Sequence, residues 1–366
     1  MTRLLVFLAL FISFNLYSQK NALKVGIVGL THTHVHGIFN SEKRGEIKIV
    51  GIVEPNKEVA LAYTSQYKMP MSMVYNTMDE MISAVHPEAV SAFGNIYDHL
   101  AVVQKCAPLG IHIMVEKPLA VSMDHAKKME ALANKHQIVL LTNYETTWYP
   151  TNHEAQALLG QGKVGDLRKL VVRDGHRGPK HIVENKEFFE WLVDPVKNGG
   201  GALPDFGCYG ANLSTWLHKG EKPISVTAVT QQLQKENHPK VEDEVTIILN
   251  YKNSNAIIQP SWNWPIGRKD MEIYGTTGVI YADNRHDLRI RMAEGYDGYK
   301  EQVMKLKERA APFDDPFALF TAVIRKEVEL DPFDLSGLPN NMMVVEILEA
   351  AKKSAKQNKT IFLKKQ

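Results

Sequence analysis

Between Leu23 and Val115 the chain alternates β-favouring runs with helical ones, and that alternation leaves few architectures open to it. Leu23-Lys-Val-Gly-Ile-Val-Gly29, Glu46 to Glu54, Ala89 to Phe93 and Ile113 to Val115 read as strands. The segment from Gly29 to Ser41, then Met78 to Val85 and Ile96 to Leu109, read as the crossovers, with Ser41 to Gly45 a loop. Parallel strands need connections of this length, so the spacing predicts a doubly wound parallel sheet. In such sheets ligands bind beyond the carboxyl ends of the strands. Pro118 cannot donate to a ladder, so the strand at Ile113 stops at Glu116-Lys117 and leaves both charged side chains at that edge. An isolated lysine before a turn proline is just as often an ordinary surface residue.

At 366 residues the chain exceeds one ordinary core, and its second half has a different grammar. Leu167 to Arg173, Ile224 to Gln232, Glu244 to Tyr251, Ala256 to Ser261 and Asp270 to Tyr274 are β-rich runs separated by turns, with a helix expected over Asp205 to Leu217. Helices are also expected at Phe317 to Leu330 and Asn340 to Lys356. The expected organisation is α/β: residues 20–145 a Rossmann-like domain, residues 146–366 an α/β domain for substrate binding and oligomerisation.

Residues 1–19 read as a secretory signal peptide, with a basic start at Met1-Thr-Arg, an apolar run from Leu4 to Phe14 and small Ser18 before the polar switch. The expectation is an exported, periplasmic protein with no membrane span in its mature part, because no later apolar run is long enough. Cys106 and Cys208 are the only thiols, so disulfides do not hold the fold together. A formal charge of +2 with both signs interspersed offers no face for a polyanion, and nucleic acid is excluded as a partner.

The dinucleotide fingerprint is half present. Gly29 serves as the tight-turn glycine, but the next positions of Gly-x-Gly-x-x-Gly are Thr31 and His34. A β-carbon at Thr31 pushes the backbone away from a pyrophosphate, although its hydroxyl and the helix start remain able to donate to one. Glu54 ends the second strand, where a carboxylate accepts from both ribose hydroxyls and repels a 2′-phosphate; NAD is therefore favoured over NADP. Glu54 also fits as the opening residue of a Glu-Pro-Asn turn. His32, His34 and His36 alternate, but in a loop entering a helix they do not share a face; ligand contact and helix-start packing both remain open, and no metal is expected.

The chain resembles the Gfo/Idh/MocA family of NAD(P)-dependent oxidoreductases over nearly all its length beyond residue 19. The resemblance runs through Lys24-Val-Gly-Ile-Val-Gly29, Glu54-Pro55, Asp98-His99, Gly110 to Ala120, Gly162-Lys-Val-Gly165, Gly199 to Asn212 and Tyr274-Gly-Thr-Thr-Gly278. It implies a Rossmann domain followed by a domain whose open, mostly antiparallel sheet walls the substrate cleft and commonly pairs in homo-oligomers. It also implies that Glu116, Lys117 and His99 lie at the nicotinamide, with Lys117 at the reacting hydroxyl. Asp205, Tyr209 and Asn212 fall at i, i+4 and i+7, on one face of one helix. In the family this face usually reads Asp, His, Asp, and tyrosine at the middle position is similar to relatives of glucose–fructose oxidoreductase. Tyr209 transfers a proton if Lys117 lowers its pKa; the alternatives are a packed aromatic for Tyr209 and a helix cap for Asp205. Asn143, Trp148 and Tyr149 stand at the domain crossover. Arg173, His176, Arg177, Lys180 and His181 form a cationic stretch suited to a hydroxylated or anionic ligand, or to solvation.

The function expected is an NAD-dependent oxidoreductase acting on a carbinol of a sugar or polyol, with Lys117, Asp205 and Tyr209 in the chemistry. A redox-neutral glycosidase that oxidises, eliminates, adds water and reduces is the alternative on the same fold. A carbohydrate-binding protein that lost the cofactor is the alternative from another class.

Overall fold

The computed structural model describes residues 22–183 and 185–364, so the expected signal peptide lies outside the described residues. The first half follows the alternation: β1 (Leu23–Val28), α1 (Val35–Glu42), β2 (Ile47–Val53), α2 (Lys57–Tyr67), β3 (Val74–Tyr75), α3 (Met78–Val85), β4 (Ala89–Ala92), α4 (His99–Cys106), β5 (His112–Glu116), α5 (Met123–His136) and β6 (Leu140–Asn143). Among the described residues these strands form one six-stranded parallel sheet in the order β3-β2-β1-β4-β5-β6. The order reverses between β1 and β4, and the crevice for a ligand opens there. Gly29, after β1, has φ +80°, and a Cβ on it would lie 2.8 Å from the Gly94 nitrogen, so only glycine lets the two loops close together. Helix starts are fixed locally: Thr77 and Glu80 form a capping box on α3, and Asn56 and Ser122 accept from backbone N–H groups of α2 and α5.

The second half contains α6 (Pro150–Gly160), β7 (Lys169–Gly175), α7 (Lys186–Leu192), α8 (Ala202–Leu217), β8 (Ser225–Gln231), β9 (Glu244–Asn250), β10 (Asn255–Ser261), β11 (Arg268–Tyr274), β12 (Gly278–Ala282), β13 (Asp287–Glu294) and β14 (Gly298–Lys305). They are followed by α9 (Pro316–Ile324), α10 (Leu338–Gln357) and β15 (Ile361–Phe362). The strands form a nine-stranded sheet in the order β14-β13-β12-β11-β7-β10-β9-β8-β15, antiparallel except for the β7–β10 pair. Helix α8 is buried at every position. It lies on the inner face of β7, β9 and β10, with α10 packed beside it and against β8. Gly210 makes the approach to the sheet possible, since a Cβ there would lie 2.3 Å from Ile258 Cγ2.

The C-terminal helices tie the two halves together. Phe317 and Phe320 of α9 pack into the core of the first sheet beside Leu23, Ile27 and Phe93. The Asp315 carboxylate before α9 accepts from Ser41 Oγ at 2.6 Å, and Lys352 of α10 donates to the carbonyls of Val121 and Gly199, each at 3.0 Å. Among the described residues no helix is long and apolar enough to cross a membrane, and both cysteines are buried free thiols.

The α9 contact generates a first prediction. Phe320 is fully buried, so Phe320→Ala should cost about 3–5 kcal/mol through lost transfer energy and a residual cavity. A chemical-denaturation midpoint equal to that of wild type would show that α9 is not part of the first domain's core.

Candidate active site

Lys117 follows β5 directly and is 6% exposed. Its Nζ donates to Asp205 Oδ1 at 2.5 Å and to the Asp205 carbonyl at 3.0 Å, and the other carboxylate oxygen accepts from Trp262 Nε1 at 3.0 Å. Asp205 lies in the first turn of α8, so this pair joins the end of a first-domain strand to the start of the second domain's central helix. Burial works against charge on both groups, but each partner outweighs it: the lysine pKa is raised and the aspartate pKa lowered, leaving an ion pair. An ammonium has three N–H donors. Two are held by Asp205, and one remains.

Tyr209, one turn further along α8, is 1% exposed, with Lys117 Nζ 5.2 Å and Lys269 Nζ 5.0 Å from its ring centroid. The expectation that Lys117 lowers its pKa is corrected. Burial, reinforced by Glu145, Cys208, Asp205 and Asp174, holds the phenol well above 10, so Tyr209 is a hydrogen-bonding phenol and not a ready base. Asn212 is corrected as well. Its amide nitrogen donates to the Leu335 carbonyl at 2.8 Å and to Asn340 Oδ1 at 3.3 Å, which ties α8 to the start of α10 and takes the side chain away from the cleft.

On the first-domain side, Glu116 is 1% exposed and accepts from His34 Nδ1 and from Asn143 Nδ2, each at 2.8 Å. Burial raises its pKa, and His34, His32 and the two hydrogen bonds reverse that and bring it to about 2. Since a carboxylate only accepts, His34 Nδ1 carries the proton. Trp148 was expected to contact substrate; its Nε1 instead donates to Asn143 Oδ1 at 3.0 Å, so Trp148 orients Asn143, which orients Glu116. His32, His34 and Glu116 bring potential ligand atoms within 4.8 Å of one another. His32 Nδ1 already accepts from the His34 backbone N–H at 3.1 Å, and burial pushes its pKa well down.

Thr31 and Glu54 differ from the sequence expectation in what they touch. Thr31 Oγ1 accepts from Trp191 Nε1 at 3.2 Å, so its hydroxyl serves the protein and is not turned toward a pyrophosphate. Phe188 and Trp191 of α7 pack against His32 with tilted rings at 4.8 and 5.8 Å between centroids, and α7 thus covers the glycine loop from the second domain. Glu54, 5% exposed, accepts from the backbone N–H groups of Leu30 and Asn56, both at 3.0 Å. Each carboxylate oxygen keeps a second lone pair for a ribose hydroxyl.

The second-domain wall holds groups that sequence reasoning passed over. Lys269 on β11 is paired with Glu145, whose pKa burial raises and Lys269 and Tyr149 bring down to about 2. Asp174, opposite Lys269 in register, is 2% exposed. His176 packs edge-on against Phe206 at 4.8 Å, its Nδ1 accepts from the Gly178 N–H, and burial lowers its pKa to about 4. Arg173 faces the other side of the sheet, bonded to Gln259, Asp270 and Glu272, and His181 is exposed beside His238. The expected cationic stretch therefore leaves only His176, uncharged, at the cleft, and His181 is corrected to the surface.

These residues fit a nicotinamide dinucleotide at its reactive end. His99 is 1% exposed, with Nδ1 bonded to the Leu119 carbonyl at 3.1 Å, and burial lowers its pKa to about 4. Its Nε2 is buried and has no partner among the described residues. The carbonyl fixes the proton on Nδ1, so Nε2 is an orphaned acceptor suited to the N–H of a carboxamide. Glu116 and Lys117, at the end of β5, would line that end, with Gly29 at the pyrophosphate and Glu54 at the ribose.

Residues 23–144 match the oxidoreductase family with the NAD-binding Rossmann fold, and residues 152–281 match the GFO/IDH/MocA C-terminal domain. Trans-1,2-dihydrobenzene-1,2-diol dehydrogenase of Xenopus tropicalis is 26% identical over 246 residues, covering 64% of this chain and 66% of that protein. Inositol 2-dehydrogenase of Rhizobium meliloti is 22% identical over 294 residues, covering 78% and 83%. Among solved structures, the aldose-aldose oxidoreductase of Caulobacter crescentus complexed with glycerol has a TM-score of 0.77 at 22% identity, covering 94% of this chain and all of that one. An inositol dehydrogenase homolog of Azotobacter vinelandii complexed with NAD+ has a TM-score of 0.81 at 16% identity, covering 94% and 98%. With the two family domains in order on a Rossmann sheet and an open, mostly antiparallel one, and with Lys117 at the junction, the chain belongs to the Gfo/Idh/MocA oxidoreductase family.

Proposed function

We propose that the protein is an NAD-dependent oxidoreductase acting on a carbinol of a sugar or polyol. The observation that carries this reading is the buried Lys117–Asp205 pair, which leaves one ammonium N–H for a substrate oxygen. The dehydrogenases it resembles act, by their names, on a dihydrodiol and on inositol, both alcohols. Bound NAD+ supplies the hydride acceptor. Lys117 binds the carbinol oxygen and fixes it beside the reacting carbon. For Nζ to accept the hydroxyl proton, one of its own protons first moves to Asp205 Oδ1 and frees the nitrogen lone pair; the net transfer is from the carbinol to the Asp205 carboxyl, against the Trp262 hydrogen bond that favours the carboxylate. Tyr209 contributes a neutral phenol to the same wall.

Removing Lys117 alone leaves Asp205 without its cation, so Lys117→Met should lower stability by about 3–5 kcal/mol as well as abolish turnover. Lys117→Met combined with Asp205→Asn should recover most of that stability and none of the activity. Turnover of the folded double variant within about tenfold of wild type would remove both residues from the chemistry.

One observation favours redox-neutral glycoside cleavage as a second reading. Helix α7 closes over the dinucleotide loop through Trp191 and Phe188, an arrangement that suits a cofactor retained from turnover to turnover. Export, which we infer from residues 1–19, points the same way, because free dinucleotide is scarce outside the cytoplasm. Trp191→Ala should speed exchange of bound NAD with labelled NAD by about tenfold or more, since it removes both the hydrogen bond to Thr31 and the ring packing on His32. An unchanged exchange rate would mean that α7 does not hold the cofactor. A glycoside deuterated at the oxidised carbon decides between the readings. Product carrying the returned label supports the glycosidase, whereas label on accumulating reduced NAD leaves the dehydrogenase.

A further inference from the structure

Glu116, Glu145 and Asp205 each have hydrogen-bond partners, and Asp174, which the mechanism above does not use, has none among the described residues. It lies next to last in β7, with Lys269 of β11 and Pro260 of β10 as its register partners. Leu170, Val172 and Asp174 alternate onto the inner face that α8 covers, while Arg173 faces away. Among the described residues the carboxyl makes no hydrogen bond, and Oδ1 is enclosed. The two cations that act on it are ion-paired with other carboxylates, Lys269 with Glu145 and Lys117 with Asp205. Burial pushes its pKa well above the usual carboxylate range; Asp270 and Glu145 add to this, and Lys269 and Lys117 oppose it without reversing it. A neutral carboxyl carries an O–H, and a buried polar group without a partner costs about 1–3 kcal/mol. Such orphans are rare in native proteins and mark ligand sites, bound water or stored strain.

We propose that Asp174 is a substrate-binding residue whose carboxyl donates a hydrogen bond to a second, uncharged oxygen of the ligand, and that the cleft therefore selects neutral polyhydroxylated substrates over sugar acids. The proposal rests on the assignment of this cleft as the substrate site. The charge pattern supplies the selectivity. Glu116, Glu145 and Asp205 are ionised around the pocket, both lysines are paired, and the nearest arginine on β7 points outward. His176, with its pKa near 4, adds no charge at neutral pH. A ligand carboxylate would meet like charge and no free cation.

Two measurements test this on the intact, NAD-loaded protein. The first is infrared. At pH 7 the wild type should show a protonated-carboxyl C=O band that is absent from Asp174→Asn and that shifts when a neutral polyol is added, with myo-inositol, glucose and glycerol as probes. No such band, or a band that none of the three shifts, overturns the proposal. The second is binding by calorimetry for the same polyols against glucuronate and gluconate. Asp174→Asn keeps an uncharged donor and should bind the best polyol within about tenfold of wild type, whereas Asp174→Leu should lose at least about tenfold with NAD affinity unchanged. Equal polyol affinity in Asp174→Leu, or tighter binding of the sugar acids than of the neutral sugars by wild type, overturns it. Neither readout requires hydride transfer, so failure of the oxidoreductase reading would show separately, as the absence of reduced NAD with every probe.

Discussion

The site depends on one buried charge. Placing the Lys117 ammonium out of water at the end of β5 is expensive, and it is tolerable only because Asp205 meets it with a carboxylate and a carbonyl together. Those two oxygens belong to the first turn of α8, so charge pairing fixes where the second domain stands against the first. The same requirement explains Trp262. It is fully buried, and its indole N–H holds the second Asp205 oxygen, which would otherwise be an unsatisfied buried acceptor. Glu116, the residue before Lys117, is arranged by the same logic with different partners, since Asn143 and His34 supply the donors and Trp148 holds Asn143 in place.

Burial decides the remaining protonation states, and this is why Tyr209 did not behave as the sequence led one to expect. A cation five ångströms from a phenol ring favours the phenolate, but the carboxylates of Glu145 and Asp205 accompany the two lysines as their partners. The nearby charge therefore gives the phenolate no net help. The larger effect is the loss of water, which disfavours it, and Glu145, Cys208, Asp205 and Asp174 add to that. Sequence inspection shows which residues share a helix face, but not how many counter-charges the other domain brings to it.

Most of the first domain was legible because its strands are apolar on both faces and its crossovers carry glycine and proline at their ends. Helix α3 was read residue for residue, and β1, β2 and β4 to within two. The loop expected at Ser41 to Gly45 is in part the last turn of α1. Elements that bury little apolar surface were passed over. Helix α5 encloses only Ala126, Met129 and Ala133, and β14 is exposed at seven of its eight positions. Within the site, Lys117 was expected at a strand end and Asp205 at a helix start, and the structure puts both there and pairs them. Asn212 was assigned to the cleft because i+7 returns to the same side of a helix, yet seven residues also advance about 10 Å along the axis. That rise carries it past the cleft to Leu335 and Asn340. Asp174 was legible in principle: parity from Leu170 and Val172 turns it inward, but the conspicuous charge of Arg173 drew the reading to the wrong face.

The altered fingerprint has a structural reason once the second domain is in place. Where a glycine would let backbone approach a pyrophosphate, Thr31 supplies an acceptor for Trp191, and His32 beside it supplies a ring against which Phe188 and Trp191 pack. Those contacts hold α7 across the switch point of the first sheet, above the loop that a dinucleotide's phosphates must reach. Entry and exit of the cofactor thus require α7 to let go of those few atoms. The Lys117–Asp205 pair lies on β5 and α8 and takes no part in that exchange. A change that loosens α7 therefore acts on how long the cofactor stays, while a change at the ion pair acts on the proton, and the two can be separated because no hydrogen bond joins Trp191 to Asp205 among the described residues.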